Sequence, residues 1–176
     1  MTLRILSWLL IAALAEPAIA ATHGHGRVQI QGTILDTACA ISTGDADQSI
    51  DLGTLSASDL LTNNRGPAVL FTVHLVNCVL NGGDVQGQDH WKDVRITFDG
   101  IPDSPHRFAL QGKGRGEALV IANESGNEAQ PGEAMPATGI TPGSMALHYR
   151  LWLTPDHHAL RPGRFYTTLR YFMEYD

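Results

Sequence analysis

Apolar residues recur along this chain in short runs, most of them at every second position, with turn-forming residues between the runs. Arg27–Ile41 alternates through most of its first half. Lys92–Gly100 and Arg107–Gly112 are short strand candidates, Glu117–Gly126 is a strand running into a turn, and Met145–Asp156 sets Leu147, Tyr149, Leu151 and Leu153 against His148, Arg150 and Trp152. Ala68–Leu80 is β-branched and nearly continuous, the pattern of a strand buried on both faces. The last stretch, Gly163–Asp176, reads as one long strand with Phe165, Thr167, Leu169, Tyr171, Met173 and Tyr175 on its apolar side. Connections rich in Gly, Asn, Asp and Pro separate these runs. The single helical candidate is a turn or two around Ser56–Leu61, capped by Ser56 or Ser58. Short strands at steady spacing with turn chemistry between them predict one all-β, immunoglobulin-like sandwich of about seven strands.

The two ends raise a question of pairing. A terminal strand with an apolar face invites aggregation unless something covers it. Near the other end, Gly26, Val28, Ile30, Gly32 and Ile34 fall on one side of a second strand and Arg27, Gln29, Gln31 and Thr33 on the other. Gly32 is unusual inside such a run and marks close backbone approach. The two segments either pair within one chain or exchange between copies. A head-to-tail exchange that does not close on itself builds a filament.

Met1–Ala20 has a basic residue at Arg4, an apolar run from Ile5 to Ala15 broken only by Ser7, and the small-residue ending Ala18-Ile19-Ala20. This predicts a secretory signal over residues 1–20, cut before Ala21. Glu16 and Pro17 end the run too early for a span, which needs about 18–20 apolar residues, so the mature chain is expected to carry no membrane span. With a formal charge of −6 and no basic run, nucleic acid is not an expected partner. The two cysteines, Cys39 and Cys78, are expected to form a structural bridge in an oxidising compartment. A loop of that size contributes roughly 4 kcal/mol in the chain-entropy model.

Candidate chemistry adds little. His23 and His25 lie near the expected new N-terminus and His157-His158 form a turn pair, but a metal site needs three or four convergent donors, so no metal and no cofactor are expected. Nucleophile, zinc and phosphate-loop motifs are absent from the sequence, so no catalytic residues are assigned. The Gly112–Gly116 stretch, with its glycines and cations, reads as a mobile turn. Trp91 and Trp152 offer one alternative, a self-contained secreted sandwich that binds carbohydrate on a stacking platform.

Four segments, in order, resemble the structural subunits of chaperone–usher pili of the type 1 and P pilus kind. They are the alternating segment before Cys39 with its glycine seven residues upstream, Gln48–Leu60 with its Ile-x-Leu-Gly element, Phe71–Cys78 ending in Leu-x-x-Cys, and the terminal stretch with Gly163 and the penultimate Tyr175. The resemblance implies a sandwich lacking its last strand, with residues 21–35 as a free N-terminal donor strand and 36–176 as the pilin domain. Gly26, Val28, Ile30, Gly32 and Ile34 are then the donor positions. Phe165, Leu169, Tyr171, Met173 and Tyr175 line an acceptor groove, which a periplasmic chaperone fills first while anchoring the carboxylate of Asp176. At an outer-membrane usher, the donor segment of a neighbouring pilin subunit takes its place. The implied protein is a non-enzymatic structural subunit of a surface fimbria that supports cell adhesion.

Overall fold

A computed structural model describes residues 27–32, 37–81 and 91–176. The expected signal sequence, the donor positions Gly26 and Ile34, and His23 and His25 lie outside the described residues. The chain divides into two units, Met1–Ile34 and Leu35–Asp176, and the secondary structure described below belongs to the second.

Its elements are β1 (Ala40–Ile41), α1 (Ala57–Asn63), β2 (Val69–Cys78), β3 (Asp93–Asp99), β4 (Pro102–Ser104), β5 (Arg107–Ala109), β6 (Gln111–Gly112), β7 (Glu117–Asn123), β8 (Thr138–Gly139), β9 (Gly143–Pro155), β10 (Phe165–Tyr166) and β11 (Arg170–Tyr175). One sheet runs β1-β2-β9-β7-β5-β4, a second runs β11-β3-β8, and β10 pairs with β6 in a short ribbon. All the ladders are antiparallel. The core lies between the two larger sheets, where Val73, Leu75, Leu147, Tyr149 and Leu151 meet Val94, Ile96 and Phe98. Phe98 stands edge-on to Tyr149 at 5.2 Å, and Tyr149 stacks on Phe71 at 5.3 Å. Offset and edge-to-face pairs of this kind are favourable beyond the area they bury.

The period-2 pattern predicts these faces well. Along β9, Leu147, Tyr149, Leu151 and Leu153 are buried in the core while His148 is exposed. The helix starts where the capping signal places it: the Ser56 hydroxyl accepts from the amide of Asp59. Leu60 on its inner face joins the core, and Asn64 ends it in the left-handed region at φ 53°.

Three expectations need correction. The segment Val69–Cys78 is buried on one face only, with Leu70 78% exposed and His74 also open to solvent, because just one side of β2 faces the second sheet. The β-branched run there reflects the needs of the ladder rather than two-sided burial. The terminal stretch is two strands rather than one: β10 pairs with β6, β11 pairs with β3, and Thr167–Leu169 lie in no ladder as the chain passes from one partner to the other. Side-chain alternation nevertheless persists across the break, with every residue from Phe165 to Tyr175 on the apolar parity half-buried. Among the described residues of the segment Arg27–Ile41, only Ala40–Ile41 forms a strand, and residues 27–32 make no ladder.

Cys39 and Cys78 are joined by a disulfide across 39 residues of sequence. It ties the start of β1 to the end of β2.

Candidate docking groove

Among the described residues, β11 has a ladder partner on one side only, β3. Beside its other edge runs a groove with a volume of about 1180 Å³. One wall is the irregular stretch Ala46–Ala57, with Ile50, Leu52 and Leu55; the other is Leu160–Leu169 with Tyr171. The floor is the inner face of both sheets, including Phe71, Val73, Phe98, Leu119, Ile121, Leu151 and Leu153. The groove thus opens directly onto the hydrophobic core, where a complete sandwich would carry another strand.

Side chains hold the two walls in place. Asp45 accepts from both the amide and the Nδ1 of His74, at 2.6 and 2.7 Å, and Gln48 donates to the carbonyl of Thr72 at 2.8 Å. The amide of His74 is the main reason the Asp45 carboxyl sits below its ordinary range, with the His74 ring adding to it against the cost of desolvation. From β11, the Tyr171 hydroxyl donates to the carbonyl of Asp45 and the Tyr175 hydroxyl to that of Cys39, at 2.7 and 3.2 Å. Burial pushes both phenols up, and the nearby Asp45 adds to the effect at Tyr171.

At the other end, the Gly112–Gly116 stretch is a strap laid on Arg161–Phe165. Lys113 and Gly114 donate their amides to the carbonyl of Arg164, and Arg115 and Arg161 exchange both backbone hydrogen bonds. Glycines permit this approach. A Cβ at Gly116, where φ is +89°, would lie 2.7 Å from the Cα of Leu160, and one at Gly163 would run into the amide of Gly114. The expectation of a mobile turn at Gly112–Gly116 is therefore corrected: its glycines serve close packing. Glu117, next in sequence, lines this end of the groove and is buried. Burial foremost, and then the charge of Asp156, push its carboxyl above the usual range.

Of the five expected acceptor positions, Phe165, Leu169 and Tyr171 line the groove; Met173 and Tyr175 pack against the core beyond its end. The backbone oxygen of Asp176 accepts from the amides of Lys92 and Asp93, and its side chain pairs with Arg95 at 2.7 Å. Of the expected donor positions, Val28 and Ile30 are 87% and 89% exposed, and no atom would obstruct a Cβ on Gly32 within 4 Å. Sequence reasoning missed the wall Ala46–Ala57 as a lining element. It also missed Leu160 and Glu117. The alternation of Ile50 and Leu52 was the available signal for that wall.

Trp91 and Trp152 form no platform. Trp152 is buried beside Val120 and Ala122 and is covered by the guanidinium of Arg65, 3.8 Å from the ring centre. Trp91 instead packs edge-on against Tyr175 at 6.2 Å. Among the described residues, no group of three or more His, Cys, Asp or Glu could hold a metal, and no helix is long and apolar enough to cross a membrane.

No family model matches the chain. It is, however, 34% identical over 154 residues to the PRS fimbrial minor pilin protein of Escherichia coli, covering 86% of this chain and 77% of that protein. The chain belongs to the fimbrial pilins. The PAP fimbrial minor pilin protein of Escherichia coli gives the same figures as the PRS protein, 34% over 154 residues with 86% and 77% covered. The fold of this pilin matches the P pilus rod subunit PapA with a TM-score of 0.68 at 25% identity, over 80% of this chain and 100% of that one. It matches a solved chaperone–usher pilus at a TM-score of 0.70 and 28% identity, over 90% of this chain and 100% of that one. The all-β, immunoglobulin-like class expected from the strand pattern is thus the observed class of this pilin.

Proposed function

We propose that this pilin is a structural subunit of a fimbria displayed at the cell surface, and that it polymerises by laying its N-terminal segment into the groove of a neighbouring copy. The observation that carries the second part is the conjunction of two features of one chain. A strand edge beside an open apolar groove is unpaired among the described residues, and an exposed segment of matching alternation includes Val28 and Ile30. Docking would bury those side chains, each contributing roughly 1.5–3 kcal/mol, and add a row of main-chain hydrogen bonds. β-Strand addition of this kind is a general mode of peptide recognition, the one by which chaperone–pilin complexes form.

Two further partners follow from the same chemistry. An open groove on the core is an aggregation hazard before assembly. A periplasmic chaperone lending a strand there, with contacts to Asp176, covers it during export, and an outer-membrane usher is where the exchange takes place. Residues 1–20 act as the signal sequence, 21–35 as the donor extension and 36–176 as the domain that receives the next subunit. Docking places Gly26, Val28, Ile30, Gly32 and Ile34 against the groove.

The test is to refold the chain from Ala21 with and without a synthetic peptide of residues 26–34. The expected result is a cooperative melt only with peptide, together with a stable one-to-one complex. A monomer that melts cooperatively alone and ignores the peptide would refute donor-strand docking.

A further inference from the structure

The groove is apolar over most of its floor, and Glu117 breaks that pattern at the end beneath the glycine strap. Glu117 is 8% exposed, and its Oε2 is fully buried without a hydrogen-bond partner. Among the described residues it forms no ion pair, although Arg161 and Arg164 line the same groove. The strap is shaped around this carboxyl: a Cβ at Gly114 would lie 2.6 Å from its Oε1. A buried oxygen left unpaired is costly, and such groups are rare in folded chains. The fold therefore holds a hydrogen-bond acceptor at the groove end that nothing within the described fold satisfies.

We propose that Glu117 is the polar end-stop of the groove: it accepts a main-chain N–H from the strand that a second copy docks there. This rests on the donor-strand reading above. The expected inward side chains, Gly26, Val28, Ile30, Gly32 and Ile34, carry no hydrogen-bond donor, which leaves the backbone to supply one. A one-residue slip is already forbidden, because it turns every apolar side chain to solvent. A backbone N–H recurs on the same side of a strand at every second residue, so any register that keeps the apolar face inward can offer one to this acceptor.

The experiment uses the chain from Ala21, refolded with a synthetic peptide of residues 21–37, and follows peptide release by exchange against labelled peptide. Glu117→Gln keeps an acceptor oxygen and is expected to release peptide within about twofold of the wild-type rate. Glu117→Leu is expected to release it about tenfold faster, the loss of one hydrogen bond. A scan of singly N-methylated peptides is expected to find one position whose methylation speeds release about tenfold from the wild type but little from Glu117→Leu. As a readout that needs no variant to fold, the carboxyl carbon resonance of Glu117 in the wild type should move on binding the plain peptide and not the peptide methylated there. Equal release from wild type and Glu117→Leu, an N-methyl scan without a singular position, or an unmoved resonance overturns the end-stop while leaving strand docking intact. A wild-type chain that takes up no peptide at all overturns both.

Discussion

Single residues decide whether the groove has walls. Asp45 fixes one of them, since its carboxylate takes the amide and ring of His74 while its carbonyl takes the Tyr171 hydroxyl. Because the carboxyl is held below its ordinary range in the folded chain, its contribution is fully present above the unfolded carboxylate value of about 3.9. That contribution is lost as pH falls through the lower, folded value. The wild-type subunit supplied with the residue 26–34 peptide should therefore lose melting temperature below about pH 4 more steeply than Asp45→Asn so supplied, whose amide does not titrate in that range. Parallel acid slopes for the two proteins would show that Asp45 does not act this way. Residue identity was legible in the sequence to different depths. The Ser56 cap and the inward side chains of β9 follow from local rules, and the structure bears them out. The purpose of Gly112, Gly114, Gly116 and Gly163 did not, because it depends on two segments about fifty residues apart in sequence meeting backbone to backbone. No local rule reports that meeting. Glu117 was equally silent: at the start of an apolar run, a lone acid looks like any strand-end charge.

At the scale of elements, the sequence predicted where strands run and failed where one strand changes partners. The terminal stretch keeps a single alternation while its ladder passes from β6 to β3; periodicity records which side faces the core, not which neighbour the backbone bonds. Alternation likewise marks residues 27–32 as a strand, yet they make no ladder, because a strand exists only beside another. This gives a discriminating substitution. In the lone chain Gly32 has open space around it, so Gly32→Leu should change the subunit's own stability by no more than about 0.5 kcal/mol. In a docked strand the same side chain faces the groove, where overpacking costs about 1–3 kcal/mol. Polymer yield in size-exclusion chromatography should fall sharply while the melting curve of the peptide-supplied subunit stays put. An unchanged yield would remove Gly32 from the docked face.

For the whole molecule, the fold class and the disulfide were readable because both rest on global regularities, steady strand spacing and the compartment of the cysteines, and the family relationship agrees with them. The groove was less so. Its terminal-strand wall was anticipated in part, but the opposite wall is irregular backbone between β1 and α1, signalled only by the short alternation of Ile50 and Leu52. The disulfide has a mechanical consequence. In a filament built by strand exchange, tension enters each subunit through its N-terminal segment and meets Cys39 before the two-residue β1. The bond to Cys78 passes that load to the far end of β2, a ten-residue strand paired along most of its length with β9, so β1 is never asked to hold alone. Reduce the bridge, and pulling should unzip β1 and then pay out the chain from Ala40 up to Val69, where β2 begins, about 100 Å of extra slack per subunit at roughly 3.3 Å for each residue. A single-fibre stretching trace that lengthens by that step only under reducing conditions would locate the fibre's rope in one sulfur–sulfur link, and a trace indifferent to reduction would place it elsewhere.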